Sequence, residues 1–441
     1  MKEQTVKYPF LSKDIKIYEQ DNGHKIVLAY KEGGMVNVSS WVKTGSINEN
    51  DINNGISHFL EHLMFKGTHK YKAGEFDRIL EARGAIVNAA TWKDYTFYYV
   101  TLPKGENDVN FDLALELHAD MMTDPLIPDY EMGAPFDVND SNVTDKRERH
   151  VVIEEIRMRK DQPWTKVYNA TNHAMYTSHP YKRDVIGTPE IISQVSQKEI
   201  MDYYKTFYSP QNVTTIIVGE FDFDNVLNKV KNAFNWGDRP IPPKFDLIPD
   251  KPVGNTVYIE NEANINSSFL MFGYLGVPAR DLRNLIALEM LSVILGDGTS
   301  SRLYVNLVEN LEKHIFNVVD SENYAFRDGS NFFIQANFNS EYKEEAIELI
   351  KNEIEDLKEN ISEKELNKAK KKLKSNFACE VETVSEIGES IGYYMTVCDD
   401  LSLAEEYIPI CESLTAEDLK NVAKKYLNID NAVISVLVPQ K

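Results

Sequence analysis

His58 and His62 stand four positions apart, with Glu61 immediately before the second histidine. On a helix, residues i, i+3 and i+4 share a face, so two imidazoles can hold one metal ion while the carboxylate reaches the same side. Imidazole nitrogens suit zinc, and a carboxylate beside the metal can act as a general base, which outlines a hydrolytic centre. The order His58-Phe59-Leu60-Glu61-His62 inverts the commoner His-Glu-x-x-His arrangement. The competing reading is a helix with two partly exposed histidines and a solvated glutamate.

A catalytic zinc needs a third protein ligand and an open position. The helical stretch from Lys146 to Ile156 offers Glu148 and Glu155, seven residues apart and so two turns along one face, with Glu154 pointing elsewhere.

The elements that must carry these residues follow from patterning. A chain of 441 residues is too long for one small core and calls for about three domains or two larger ones. Alternating or β-branched runs at 36–42, 94–102, 267–274, 331–338 and 432–438 read as strands. Helical periods cover 76–83, 111–122, 343–360 and 363–377. This is an α+β pattern, and it occurs twice. The stretch from Gly55 to Thr68 lies over Ile286 to Thr299 at an offset of 231, and Val195 to Val213 lies over Leu414 to Ala432 at an offset of 219. Each member of the second pair opens with a capping Ser or Thr and acidic residues in its first turn. The first half therefore holds about a dozen extra residues, placed at 129–145, where Gly, Pro, Asn and Asp break any period. The expected division is a metal-bearing half at 1–235, a Pro-rich linker at 236–252 and a second half at 253–441. In the second copy Glu289, Ser292 and Val293 replace His58, Glu61 and His62, so only the first half can bind metal this way.

A net charge of −21 opposes binding to nucleic acid or an anionic membrane and suits a basic partner or peptide, though acidity also serves solubility. No run approaches the roughly 18 apolar residues that span a bilayer, and the first residues do not form a secretory signal. A cytoplasmic location is the expectation. Cys379, Cys398 and Cys411 lack metal-ligand spacing and read as reduced thiols.

With these residues in view, the chain resembles the pitrilysin family of inverted-motif zinc peptidases, especially the mitochondrial processing peptidase and its bacterial relatives. The resemblance rests on Gly45, on Gly55-Ile56-Ser57-His58-Phe59-Leu60-Glu61-His62-Leu63-Met64-Phe65-Lys66-Gly67-Thr68, on Asn88-Ala89-Ala90-Thr91 ahead of Asp94-Tyr95-Thr96, and on Glu148 to Glu155. It implies two homologous α+β halves closing as a clam-shaped chamber. It also implies Zn2+ held by His58, His62 and Glu155, Glu61 as general base and Glu148 as the companion of the metal shell. Peptides or presequence-like segments would be hydrolysed by zinc-activated water, bound as an added strand along Asn88, Ala89, Ala90 and Thr91. The interval from His62 to Glu155 exceeds the family's usual spacing, and the inferred insertion accounts for most of the excess.

One departure stands out. Active family members carry an Arg and a Tyr in the second half that hold the substrate carbonyl, whereas Val308 and Ile315 occupy those positions here. The resemblance therefore implies the zinc-bearing member of a heterodimer whose related partner supplies Arg and Tyr, or otherwise a homodimer. Two alternatives are a silent peptide-binding or scaffold subunit, and a self-sufficient peptidase using Arg302, Tyr304 or Arg327.

Overall fold

The computed structural model describes residues 1–140, 144–145, 147–245, 247–310 and 312–440. They divide into two units, each assembled from discontinuous stretches. The first comprises Met1–Arg157, Arg183–Asp246 and Ala378–Glu405; the second comprises Met158–Lys182, Leu247–Phe377 and Glu406–Lys441.

The first unit is built on seven strands: β1 (Lys2–Val6), β2 (Ile15–Glu19), β3 (Lys25–Tyr30), β4 (Met35–Val42), β5 (Ile86–Thr91), β6 (Thr96–Pro103) and β7 (Val213–Gly219). They are ordered β1-β2-β3-β7-β4-β6-β5, with β3 and β7 parallel and every other neighbour antiparallel. Central β7 is buried along its whole length, as its Val-Thr-Thr-Ile-Ile-Val run requires of a strand covered on both faces. The Val109–Thr123 helix packs on β4 and β6, and the Val384–Thr396 helix packs on β4 and β7. Close approach of the latter depends on Gly392, where a Cβ would stand 1.9 Å from Trp41 Cε2. Phe59 and Leu60 on the metal-motif helix are fully buried, each such side chain contributing roughly 1.5–3 kcal/mol.

The second unit repeats the plan with β8 (Val257–Ala263), β9 (Ser268–Leu275), β10 (Phe316–Ala325), β11 (Ser330–Phe338) and β12 (Val433–Pro439), ordered β10-β11-β9-β12-β8. Its one parallel pair, β12 with β8, matches β7 with β3, so the five strands reproduce β5-β6-β4-β7-β3 in order and sense. The Pro163–Met175 helix covers β9 and β12. The five strands and four helices read from patterning agree with the observed bounds to within two residues.

The repeat also shows where the extra residues sit. In the second unit the Lys343–Glu359 and Glu363–Cys379 helices are separated by three residues, 360–362. Their counterparts in the first unit, Val109–Thr123 and Glu148–Asp161, are separated by residues 124–147, whose described residues include the short Asp129–Met132 helix. Ser141, Asn142, Val143 and Lys146, part of the expected insertion and of the helix lead-in, lie outside the described residues. Fully buried Arg149 anchors the loop, donating to the carbonyls of Gly133 (3.1 Å), Val195 (2.7 Å) and Ile192. The described residues of the Pro-rich stretch after Asn235 form no helix or strand, although Trp236 is buried against His24 and Phe234.

Candidate active site

The Ile56–Met64 helix begins at Gly55, whose φ of +96° lies in the left-handed region that favours glycine. A Cβ there would also stand 2.7 Å from the Ile186 carbonyl oxygen and 2.8 Å from Gly187 Cα. Glycine offers no capping side chain, so the free N–H groups of the first turn are served by Glu49. Glu49 Oε2 accepts from Gly55 N and Asn54 Nδ2, both at 2.8 Å, while Oε1 accepts from Ser57 N at 2.9 Å and Ser57 Oγ at 2.6 Å. Burial raises the Glu49 pKa, against these four donors that favour the anion. Tyr203 on the Gln197–Phe207 helix braces the same turn, its hydroxyl 2.7 Å from Ser57 Oγ and 2.6 Å from Thr44 Oγ1.

Held this way, His58 and His62 project one turn apart, their ring centroids separated by 4.8 Å. The Glu148–Asp161 helix brings Glu155 to them: its Oε2 lies 3.8 Å from His58 Nε2 and 3.6 Å from His62 Nε2. One ligand atom from each of the three residues falls within a 4.8 Å span. Ligands at about 2.0–2.1 Å from a tetrahedral zinc stand about 3.3 Å apart, so the two Glu155–histidine separations exceed that spacing by only a few tenths of an ångström, and the donor set is one that suits such an ion. Glu148, two turns before Glu155, takes the other side of His62: its Oε2 lies 3.2 Å from Nδ1, and its Oε1 lies 2.6 Å from Lys66 Nζ. A proton on His62 Nδ1 leaves the Nε2 lone pair directed at the ligand cluster. Glu154 is turned away and pairs with Arg157.

The charges are mutually supporting. Burial depresses the His62 pKa, but hydrogen bonds to Glu148 and Glu155 outweigh it and push the metal-free imidazole up to about 9. Burial likewise raises the Glu148 pKa, and the hydrogen bonds from His62 and Lys66 overcome it, leaving the carboxyl below its ordinary value.

Glu61 is 9% exposed, and its Oε2 accepts a 2.5 Å hydrogen bond from Thr91 Oγ1 at the end of edge strand β5. Behind it, the hydroxyls of Tyr98 and Tyr208 lie 2.7 Å apart, both held un-ionised by burial and further by the Glu61 charge. Strand β5 pairs with β6 alone and so presents a free edge. Asn88 is exposed there and accepts from the Ala89 N–H at 2.9 Å, while Ala89, Ala90 and Thr91 are partly buried. Thr91 differs from the others expected along this edge in that its hydroxyl is committed to Glu61. Lys66, Glu49 and the Thr91–Glu61 bond were not anticipated from sequence. Lys66 had a usable signal, standing four residues after His62, whereas Glu49 acts across a turn that no periodicity marks.

The corresponding place in the second unit is closed. Glu289 accepts from Tyr407 at 2.7 Å, and Ser292 and Ser321 exchange hydrogen bonds between side chain and backbone at 2.8 and 2.9 Å. Among the described residues, no other group of three His, Cys, Asp or Glu side chains clusters as a metal site. Val308 is partly buried, and Ile315 is buried. Arg302 is tied to Asp356 (2.9 Å), Glu365 (2.6 and 3.0 Å) and the Asn360 carbonyl, and Arg327 is paired with Asp328.

A repeated α+β fold in which two histidines and a glutamate converge beside a further glutamate places the molecule in the class of zinc-protease-like proteins. Comparison with known proteins makes the family specific. Residues 25–189 match "Insulinase (Peptidase family M16)" and residues 194–373 match "Peptidase M16 inactive domain". The zinc protease PqqE of Helicobacter pylori is 30% identical across 95% of this chain and 91% of its own length. A Bacillus subtilis relative named uncharacterized zinc protease YmxG is 27% identical, covering 95% of this chain and 97% of that one. The chain belongs to peptidase family M16, the pitrilysin family. The crystal structure of a protease from Helicobacter pylori matches with a TM-score of 0.84 at 28% identity over 99% of both chains. A structure titled peptidase M16 inactive domain, from Pseudomonas fluorescens, shares the fold with a TM-score of 0.86 at 19% identity, covering 97% and 98% of the two chains. No helix among the described residues is long and apolar enough to cross a membrane.

Proposed function

We propose that this chain is a zinc metalloendopeptidase that hydrolyses peptides or presequence-like segments. The observation that carries the reading is the convergence of His58, His62 and Glu155 within 4.8 Å beside the Glu61 carboxylate. His58, His62 and Glu155 would hold the zinc ion, which when bound would supply Lewis acidity at the scissile carbonyl and lower the pKa of water toward neutrality. Glu61 takes up the proton from the attacking water and delivers it to the leaving amine, while the Thr91 hydroxyl fixes its carboxylate plane. Glu148 keeps the His62 proton on Nδ1. The substrate joins β5 as an added strand along Asn88, Ala89 and Ala90, whose short side chains admit a second backbone.

The reading includes a partner. Val308 and Ile315 offer no hydrogen-bond donors, and Arg302 is already committed to carboxylates. We therefore assign the missing Arg and Tyr to a related subunit in a heterodimer. Loss of a single oxyanion donor typically costs about 10² to 10³ in rate, so the lone chain is expected to bind zinc and cleave slowly. The test is Glu61→Gln assayed in the complete assembly. Zinc should be retained while hydrolysis falls by roughly 10² to 10⁴; wild-type turnover would remove Glu61 as the base.

A further inference from the structure

We infer that Trp92 and Ile86, on the face of β5 turned away from the metal-motif helix, select substrates that carry two large apolar side chains six residues apart, a selectivity that rests on the proposed placing of the peptide along β5.

Successive side chains of a strand alternate in direction, so Ile86, Asn88, Ala90 and Trp92 share one face while Val87, Ala89 and Thr91 share the other. The second set turns inward: Thr91 donates to Glu61, and Val87 and Ala89 pack on the core. The first set ends in two exposed apolar side chains, Ile86 at 63% and Trp92 at 49%, with the short Asn88 and Ala90 between them. On β6 the same face continues through Tyr99 and Phe97, the register partners of Asn88 and Ala90, whose rings stack at 5.8 Å. Phe97 in turn stacks on Trp41 at 4.3 Å. The strand edge is thus an aromatic surface bounded by two apolar posts.

This edge lacks the usual protection. Residues 84–92 carry no charge, whereas exposed strand edges are ordinarily blunted by charged side chains, as β1 is by Lys2 and Glu3. Among the described residues, no group outside β5 and β6 hydrogen-bonds to the backbone of residues 86–91.

Trp92 is also held firmly. Its N–H donates to the Tyr95 carbonyl at 2.8 Å, its carbonyl accepts from Ser46 N at 3.3 Å, and the Lys93 carbonyl accepts from Ile47 N at 2.9 Å. Buried Lys93 adds a bond from Nζ to the Arg183 carbonyl at 3.1 Å. Gly45 permits this contact, since a Cβ there would stand 2.1 Å from the Trp92 carbonyl oxygen. An exposed aromatic residue on a fixed backbone loses little freedom when a ligand covers it, which suits it as a binding anchor.

A peptide strand added to β5 sets its residues opposite those of β5, so the side chains that meet Ile86 and Trp92 are six positions apart whichever way the peptide runs. A spacing of five would send one of them to the other face. Trp92 adjoins Thr91, whose hydroxyl holds Glu61, so under the peptidase reading the side chain it contacts lies close to the bond that is cut.

The test measures fluorescence anisotropy of three labelled twelve-residue peptides of Ser and Thr, with Phe at positions 3 and 9, with Phe at positions 3 and 8, and with no Phe. The full-length Glu61→Gln chain is used so that no peptide is consumed. The 3/9 peptide should bind about tenfold more tightly than the 3/8 peptide, the gain from partly covering one more aromatic side chain. Trp92→Ser and Ile86→Thr should each bring that ratio close to one at an unchanged thermal midpoint, and Trp92→Phe should keep most of it. Equal affinities for the 3/9 and 3/8 peptides in the parent, or an unchanged ratio in Trp92→Ser, overturn the inference. A concentration-dependent dimer in sedimentation that Trp92→Ser abolishes also overturns it, by showing that this face joins two copies of the chain. Zinc-dependent cleavage of any of the three peptides by the wild-type chain reports on the peptidase reading separately.

Discussion

The hydroxyl of Thr91 lies 2.5 Å from Oε2 of Glu61. One bond thus ties the last residue of edge strand β5 to the carboxylate on the Ile56–Met64 helix, and under the proposed function it would couple peptide placement to proton transfer. Thr91→Val removes the bond and keeps the shape. A hydrogen bond to a charged group is worth about 1.5–3 kcal/mol, so kcat should fall by roughly ten- to a hundredfold with KM little changed. Thr91→Ser should restore most of the rate. Steady-state kinetics of the two variants against one peptide would check this, and equal losses in both would deny the bond a role.

Glu148 spans His62 and Lys66, at 3.2 and 2.6 Å. Glu148→Gln should weaken zinc binding by about 10- to 100-fold, the usual cost of losing a partner that orients a ligating histidine. Activity should return when zinc is supplied in excess. Lys66→Met, which leaves the carboxylate in place but unanchored, should have a smaller effect of the same sign. Competition with a chelator of known affinity measures both.

His24 and His118 are fully buried, and burial holds each near a pKa of about 3. Each finds one hydroxyl partner, Thr215 Oγ1 at 2.9 Å for His24 and Ser40 Oγ at 3.0 Å for His118. In the unfolded chain both titrate near 6.5, so below that pH the unfolded state binds more protons and stability falls as pH drops toward 3; above 6.5 their contribution is flat. Together they should remove about 3 kcal/mol between pH 6.5 and 5. Urea titrations should show that fall in the wild type and a shallower one in His24→Gln/His118→Gln. Parallel pH profiles would contradict the assignment.

Gly55→Ala should destabilise the first unit and weaken metal binding together. The left-handed φ and the 2.7 Å approach to the Ile186 carbonyl leave no room for a methyl group without moving the helix start. Backbone strain of this kind costs about 1–3 kcal/mol. Denaturant midpoints and zinc content, measured on the same preparation, should both decline.

Much of the site was legible because its logic is local. His58, Glu61 and His62 declare themselves by the helical period, and Glu148 and Glu155 by the same period over two turns. The repeat was legible through Ser196 with Glu199 and Thr415 with Asp418, which both form capping boxes in the structure. What patterning could not reach was tertiary. An amphipathic stripe on 163–175 or 384–396 states that a helix must pack, but not on which sheet, so the discontinuous make-up of the two units has no sequence signature. Glu49 caps a helix from outside its own turn, and Thr91 turns its hydroxyl to Glu61 because β5 ends beside that helix. Val308 and Ile315 were legible as absences, and the structure adds that Arg302 is held by Asp356 and Glu365.

The most direct test is the zinc content of the purified chain after dialysis against metal-free buffer, compared among wild type, Glu61→Gln and Glu155→Gln. One zinc per chain is expected in the first two. Glu155→Gln, which keeps the shape of the third ligand and removes its charge, should retain far less. Equal zinc in wild type and Glu155→Gln, or no zinc in the wild type at any pH where His62 is neutral, would contradict a catalytic centre built on His58, His62 and Glu155.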